Sequence, residues 1–146
     1  MTAPNERPAA LHAYFSYRDA PAALRWLERA FGFETTLEFA DERGGIMHSE
    51  LRREGVGIMV FSDDVGFERP ALKGETVGHG TYVSLDADAK VDAVYATAVE
   101  AGATVVWEPG ATEWGSYRCR VLELEGYEWT FGTLRPGESQ GDWSES

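Results

Sequence analysis

The stretch "GFETTLEF", Gly32–Phe39, returns in altered form 70 residues later as "GATVVWEP", Gly102–Pro109. Each opens on glycine, runs through residues that favour strands, and reaches an acid six positions on, Glu38 in one and Glu108 in the other. Upstream of Gly32, Ala20, Ala23, Leu24, Leu27 and Phe31 fall at helical spacing and form one apolar stripe. Asp19 is placed to accept hydrogen bonds from the first-turn amides, and Pro21 sits where a missing N–H costs nothing. Gly32 supplies the left-handed residue that ends such a helix. Further upstream, "LHAYFSY", Leu11–Tyr17, alternates. Leu11, Ala13, Phe15 and Tyr17 share one face of a strand; His12, Tyr14 and Ser16 share the other.

Downstream of Gly32 the pattern predicts three strands, over Phe33–Phe39, Ile46–Arg52 and Val56–Phe61, separated by the turns "ADERGG" and "REG". The same order then recurs. His79–Leu85 reads as a strand. Val91, Val94, Tyr95 and Ala98 read as a helix closed by Gly102. Ala103–Glu108, Tyr117–Leu124 and Tyr127–Leu134 read as strands. Gly45 and Gly115 keep the 70-residue spacing, and "REG" at 53–55 has its counterpart in "LEG" at 124–126, one residue out of phase. The expected fold is therefore α+β: tandem βαβββ modules that form a curved mixed β-sheet cleft with the helices outside. The divisions are an N-terminal arm (1–10), a first module (11–61), a linker (62–78), a second module (79–135) and a polar C-terminal tail (136–146). Trp143, an aromatic residue in that tail, is expected either to be free or to dock on a partner.

Bulk properties narrow the function. A chain of 146 residues buries about 68–70% of its unfolded surface, enough to fold without a metal or disulfide. Cys119 is the only cysteine, so no internal disulfide can form. Set in a strand, it reads as a small buried hydrophobe. No apolar run approaches the ~18 residues of a membrane span, and "MTAPNERPAA" lacks the basic and apolar regions of a secretory signal. A cytoplasmic location is expected. Thirteen Lys and Arg against 25 Asp and Glu give a net charge of −12. That charge disfavours nucleic acid and anionic membranes as partners, and it attracts small cations.

Three phrases carry a family resemblance. "YRDAPAALRWLERAFGFE" (17–34) resembles the first strand-helix segment of glyoxalase/bleomycin-resistance-like members of the vicinal oxygen chelate superfamily. "AVEAGATVVWEP" (98–109) resembles the same segment of their second half, and "WGSYRCRVLELEGYEWTFGTLRP" (114–136) is similar to their closing hairpin. Their usual Asp-Pro turn is replaced here by "LELEGYEW". The resemblance spans roughly Leu11–Pro136 and implies a family that holds glyoxalase I, ring-cleaving dioxygenases, fosfomycin-resistance enzymes and bleomycin-resistance binding proteins. In its metal-using members it implies four His, Glu or Gln ligands from the first and last strand of each half. His12 matches the first position, and His79 is a second candidate, although the internal repeat sets Tyr82 opposite His12. The last strand of the first half offers Val56, Ile58, Met59, Val60 and Phe61, none suited to such an ion. In the second half the expected carboxylate position is Thr130, with Glu128 two residues earlier.

The expected function is thus a metal-free, bleomycin-resistance-like binding protein that sequesters a planar ligand, cationic for preference, in a cleft lined by aromatic rings. The expected lining is His12, Tyr14, His48, Met59, Phe61, Trp107, Trp114, Arg118, Arg120 and Thr130. Rings at these positions can stack on flat ligands. Trp129 is assigned to the core instead. Arg118 and Arg120 share a strand face and either meet a ligand carboxylate or pair with Glu108 or Glu128. The alternative is a lyase, isomerase or dioxygenase using Zn, Ni, Mn or Fe on His12 and His79. Turnover stays open between the two. The resemblance also implies a homodimer with its clefts between subunits.

Overall fold

A computed structural model describes residues 6–138; Trp143 lies outside them. The chain runs β1 (Tyr14–Tyr17), α1 (Ala20–Phe31), β2 (Glu34–Ala40), β3 (Ile46–Arg53), β4 (Val56–Ser62), β5 (Thr81–Ser84), α2 (Asp88–Glu100), β6 (Thr104–Ala111), β7 (Tyr117–Leu122) and β8 (Glu128–Gly132). The strands form two four-stranded mixed sheets of identical topology, ordered β1-β4-β3-β2 and β5-β8-β7-β6. In each, the first strand pairs parallel with the last and the other pairs are antiparallel. The repeat reaches fine detail. A register shift falls between Thr35 and Leu37 in β2 and between Val105 and Trp107 in β6, again 70 residues apart.

Helix α1 forms as its sequence dictates. The Asp19 carboxylate accepts from the Ala22 amide at 3.1 Å, and Gly32 closes the helix with φ 74°. Gly102 takes the matching conformation after α2, with φ 96°. A side chain at either position would strain the left-handed backbone. The apolar stripe of α1 is wider than its spacing predicts, because Trp26 and Ala30 are also buried. Their cover is α2. Trp26 donates its indole N–H to the Ala101 carbonyl at 2.7 Å, and Thr97 donates its hydroxyl to the Ala30 carbonyl at 2.7 Å.

One core serves both modules. Trp129 on β8 has no exposed surface. It meets Phe15, Phe31 and Phe33 of the first module at ring separations of 5.3, 4.8 and 5.8 Å, and Phe131 of its own at 6.1 Å. Cys119 is buried nearby, and burial pushes its thiol pKa up to about 11, so it stays protonated and inert.

Several boundaries differ from the sequence pattern. β1 begins at Tyr14 rather than Leu11, and Leu11 is 98% exposed because nothing covers it. The Ala13 carbonyl still accepts from the Met59 amide at 3.1 Å, so the pairing direction persists ahead of the strand. β5 begins at Thr81 and leaves His79 outside it, exposed. The closing hairpins are unequal. Glu54 and Gly55 alone turn β3 into β4, with Glu54 at φ 50°, whereas residues 123–127 turn β7 into β8. This is why the two "EG" pairs are out of phase.

The longer turn builds the joint between modules. The Glu123 carboxylate accepts from the Glu125 and Tyr127 amides, both at 2.9 Å, and so organises the turn without the missing Asp-Pro pair. Glu125 accepts from the Arg18 and Asp19 amides at 2.8 and 3.0 Å, at the start of α1. Arg69 enters from the linker with its side chain 8% exposed. It pairs with Glu125 at 3.2 Å and Asp63 at 3.3 Å, and donates to the Ser16 carbonyl at 2.7 Å. The linker is therefore pinned into the joint rather than simply draped over the surface. Burial works to raise the pKa of Asp63, but the Val65, Gly66 and Phe67 amides and Arg69 outweigh it, and the net direction is down.

Glu123 goes the other way. Burial pushes its pKa up to about 7, against the pull of Tyr17 and the two turn amides. The folded state then holds this proton more tightly than the unfolded chain, whose ordinary value is 4.5. The contribution favours folding fully below about pH 4.5 and is lost as pH rises through about 7. The difference corresponds to about 3 kcal/mol. Glu123→Gln keeps an acceptor for both amides and removes the ionisation. In urea unfolding, its stability advantage over the parent is expected to grow from near zero at pH 4.5 to about 3 kcal/mol at pH 8. An advantage that does not change with pH contradicts this reading.

Candidate functional site

Alternation along paired strands sorts the first sheet into two faces. Phe15, Tyr17, Leu51, Ile58 and Val60 face the core. The registers Tyr14↔Met59, Ser16↔Phe61, Glu50↔Met59 and Phe39↔His48 put Tyr14, His48, Glu50, Met59 and Phe61 on the other face. That face is open. Tyr14 is 68% and Phe39 50% exposed. The Tyr14 and Phe61 rings lie 6.1 Å apart, tilted by 34°. His48 and Glu50 pair at 2.7 Å. His12 lies just before β1, and its Nδ1–H donates to the Gly57 carbonyl at 2.8 Å. A carbonyl only accepts, so Nδ1 carries the hydrogen of that bond.

A cleft of about 690 Å³ lies along β3 and β4 on this side, lined by His12, Glu50, Arg52, Glu54, Gly57 and Met59 among others. Its volume falls within the range of small-molecule sites. A smaller gap of about 340 Å³ separates residues 11–13 and 55–58 of the first module from residues 80–84 of the second.

The second sheet gathers a different set. Arg120 lies opposite both Trp107 and Thr130, and Arg118 lies opposite Gly110 and Gly132. Arg120 donates to Thr130 Oγ1 at 2.9 Å and to the Glu75 carbonyl at 2.7 Å, and pairs with Glu128 at 3.4 Å. Glu128 also accepts from the Thr76 hydroxyl and the Val77 amide, each at 2.8 Å, and so ties down the end of the linker. Both guanidinium groups lie over the Trp107 ring, at 3.9 Å for Arg118 and 3.8 Å for Arg120. Trp114, in the β6–β7 turn, is 51% exposed and 5.2 Å from Arg118.

The ten residues singled out from the sequence thus form two groups, one on or beside each sheet. Among the described residues, no hydrogen bond, ion pair or ring contact joins them. His12 and Met59 line the larger cleft, and Tyr14, His48 and Phe61 share its side of the sheet. On the second sheet, Arg120 and Thr130 are occupied by internal partners, and Trp107 by internal cations. Sequence reasoning missed Phe39, Glu50, Arg52 and Glu54. Glu50 was within reach, two residues from His48 on an alternating strand.

The metal alternative requires residues that converge. Among the described residues, no three of His, Cys, Asp and Glu are grouped to hold an ion. His79 lies outside its strand, and the Glu128 carboxylate serves Thr76, Val77 and Arg120. The residues present do not fit the four-ligand pattern.

Comparison with known proteins adds a second line of observation. The model of the Glyoxalase/Bleomycin resistance protein/Dioxygenase superfamily matches residues 10–131. Among solved structures, TioX from Micromonospora sp. ML1 is 27% identical, with a TM-score of 0.63 over 86% of this chain and 98% of that one. A glyoxalase/bleomycin resistance protein/dioxygenase family enzyme from Burkholderia phytofirmans PsJN is 16% identical, with a TM-score of 0.61 over 83% and 94%. Protein PA1353 from Pseudomonas aeruginosa is 18% identical, with a TM-score of 0.63 over 85% and 96%. The latter two speak to the fold alone. No curated protein matches the chain.

Arg120→Met tests the second-sheet network. It leaves the buried Glu128 without its cation, so stability is expected to fall by about 2–3 kcal/mol in chemical unfolding. A loss below about 0.5 kcal/mol, the ordinary range for surface positions, contradicts the network.

Proposed function

The chain belongs to the glyoxalase/bleomycin resistance protein/dioxygenase superfamily, and from that premise we propose that it is a small-molecule binding protein that sequesters a planar cationic ligand without a resident metal. One observation carries this reading. The first sheet leaves Tyr14, Phe39, Met59 and Phe61 uncovered or half covered beside a cleft of about 690 Å³. Tyr14, Met59 and Phe61 adjoin on β1 and β4, with Phe39 beyond the His48–Glu50 pair of β3, and adjoining exposed apolar groups mark a binding surface. Tyr14 offers a free ring face, and a flat aromatic cation laid on it gains stacking and cation–π attraction of about 0.5–2 kcal/mol. The cleft lining balances Glu50 and Glu54 against Arg7 and Arg52, so the electrostatic attraction for a cation comes from the chain's net charge of −12. The ligand is held by contact and charge, with no bond made or broken. An antibiotic of flat, basic character fits these requirements. The chain is also proposed to form a homodimer with its clefts between subunits, and a dimer mass in light scattering across a range of concentrations is the expected result.

Proflavine, a planar cation, is a suitable probe. It is expected to bind one-to-one per site in the presence of EDTA. Tyr14→Ala is expected to weaken it about tenfold, the loss of one stacked ring. Tyr14 is on the surface, so the fold is not at issue. Equal affinity for parent and variant counts against the stacking row. Stoichiometric Zn, Ni, Mn or Fe required for binding or turnover reverses the order and favours the metal-dependent lyase or dioxygenase.

A further inference from the structure

Arg118 has no acidic partner among the described residues, although the chain carries 25 acidic residues. Its neighbour Arg120 has Thr130, Glu75 and Glu128 as acceptors. The Arg118 guanidinium lies 3.9 Å from the Trp107 ring and 5.2 Å from that of Trp114. Among the described residues, no hydrogen bond or ion pair engages its N–H donors. Contact with the two rings restrains the group and leaves its N–H donors without a protein acceptor among those residues. A guanidinium restrained in this way is pre-organised for a planar two-oxygen acceptor.

Space beside it is also present. Arg118 lies opposite Gly110 on β6 and Gly132 on β8. Directly paired residues point to the same face of a sheet, so both positions flanking the arginine lack a side chain. On the β8 side the room is filled, since a side-chain carbon at Gly132 would lie 2.5 Å from the Tyr82 hydroxyl. On the β6 side it is open, and a carbon at Gly110 would meet nothing nearer than the Glu108 carbonyl oxygen at 3.9 Å. The half-exposed Trp114 ring lies beside the same arginine.

We infer that Arg118, Trp114 and the open space over Gly110 form a docking site for an aromatic carboxylate. The carboxylate takes both donors on the free edge of Arg118, and the aromatic body stacks on Trp114. The inference rests on the second sheet alone. It takes a ligand group opposite in charge to the one proposed for the first-sheet row and does not depend on that reading.

The test is calorimetric titration of the full chain with 2-naphthoate and with its neutral isostere 2-naphthamide. The acid is expected to bind one-to-one and at least about tenfold more tightly than the amide, as a bidentate charged pair requires. Arg118→Lys keeps the charge but removes the fork, and Gly110→Leu fills the space while leaving the arginine in place. Each is expected to weaken naphthoate about tenfold or more. Gly110 has no positive φ, so the leucine variant is expected to fold; if it does not, Arg118→Lys decides alone. Equal binding of acid and amide, or parental affinity in Arg118→Lys, overturns the inference. Naphthoate binding that Tyr14→Ala abolishes and Arg118→Lys retains also overturns it, and leaves the first-sheet reading standing.

Discussion

Trp129 sits between rings from both halves of the chain, with Phe15, Phe31 and Phe33 on one side of the module boundary and Phe131 on the other. An indole that loses all its accessible surface buries more apolar area than any aliphatic side chain of the core, although its buried N–H has no acceptor among the described residues. It can do so only if both modules are in place. Neither module covers its own helical layer either, since Trp26 of α1 finds its acceptor on Ala101 beyond α2. The duplication is therefore a requirement of burial. Each half supplies the cover the other lacks, and the opposite face of the first sheet stays outside this shared core.

Charged groups complete the joint where rings cannot. The turn over residues 123–127 reaches the start of α1 through Glu125, and Arg69 ties the linker to both. Glu125 accepts from backbone amides, whereas the Arg69 pairs with Asp63 and Glu125 are buried ion pairs, whose desolvation cost offsets much of their attraction. Glu123 is the weak point of this arrangement, a carboxyl held in a place that prefers it neutral. Tyr17 is disfavoured as an anion for the same reason, with burial the first cause and Glu123 the second.

Much of this fold is legible in the chain. Asp19, Pro21 and Gly32 mark the ends of α1 through local chemistry, and the spacing of Gly32 to Gly102 announces the repeat. Alternation assigns Trp129 to the core and sets Arg120 on the same face as Glu128. What is not legible depends on partners distant in sequence. Alternation places Leu11 on a strand face but does not reveal that nothing lies above it. Trp26 falls off the apolar stripe of α1 because its neighbour is a helix 75 residues away. Arg69 lies in a stretch without periodicity, so nothing local marks it as buried. The sequence offers both roles for Arg118 and Arg120, and only the positions of Glu75, Glu128 and Gly110 separate them.

In the proposed function the open face of the first sheet, rather than a metal centre, receives the guest. Met59 lines that cleft and has a methyl group visible by NMR, with Met47 as an exposed comparison on β3. With labelled methionine methyls, a planar aromatic cation and a chelator present, the Met59 signal is predicted to move upfield by ring-current shielding and to saturate, while Met47 stays in place. A Met59 signal that does not move, or moves only once a divalent metal is supplied, contradicts the account.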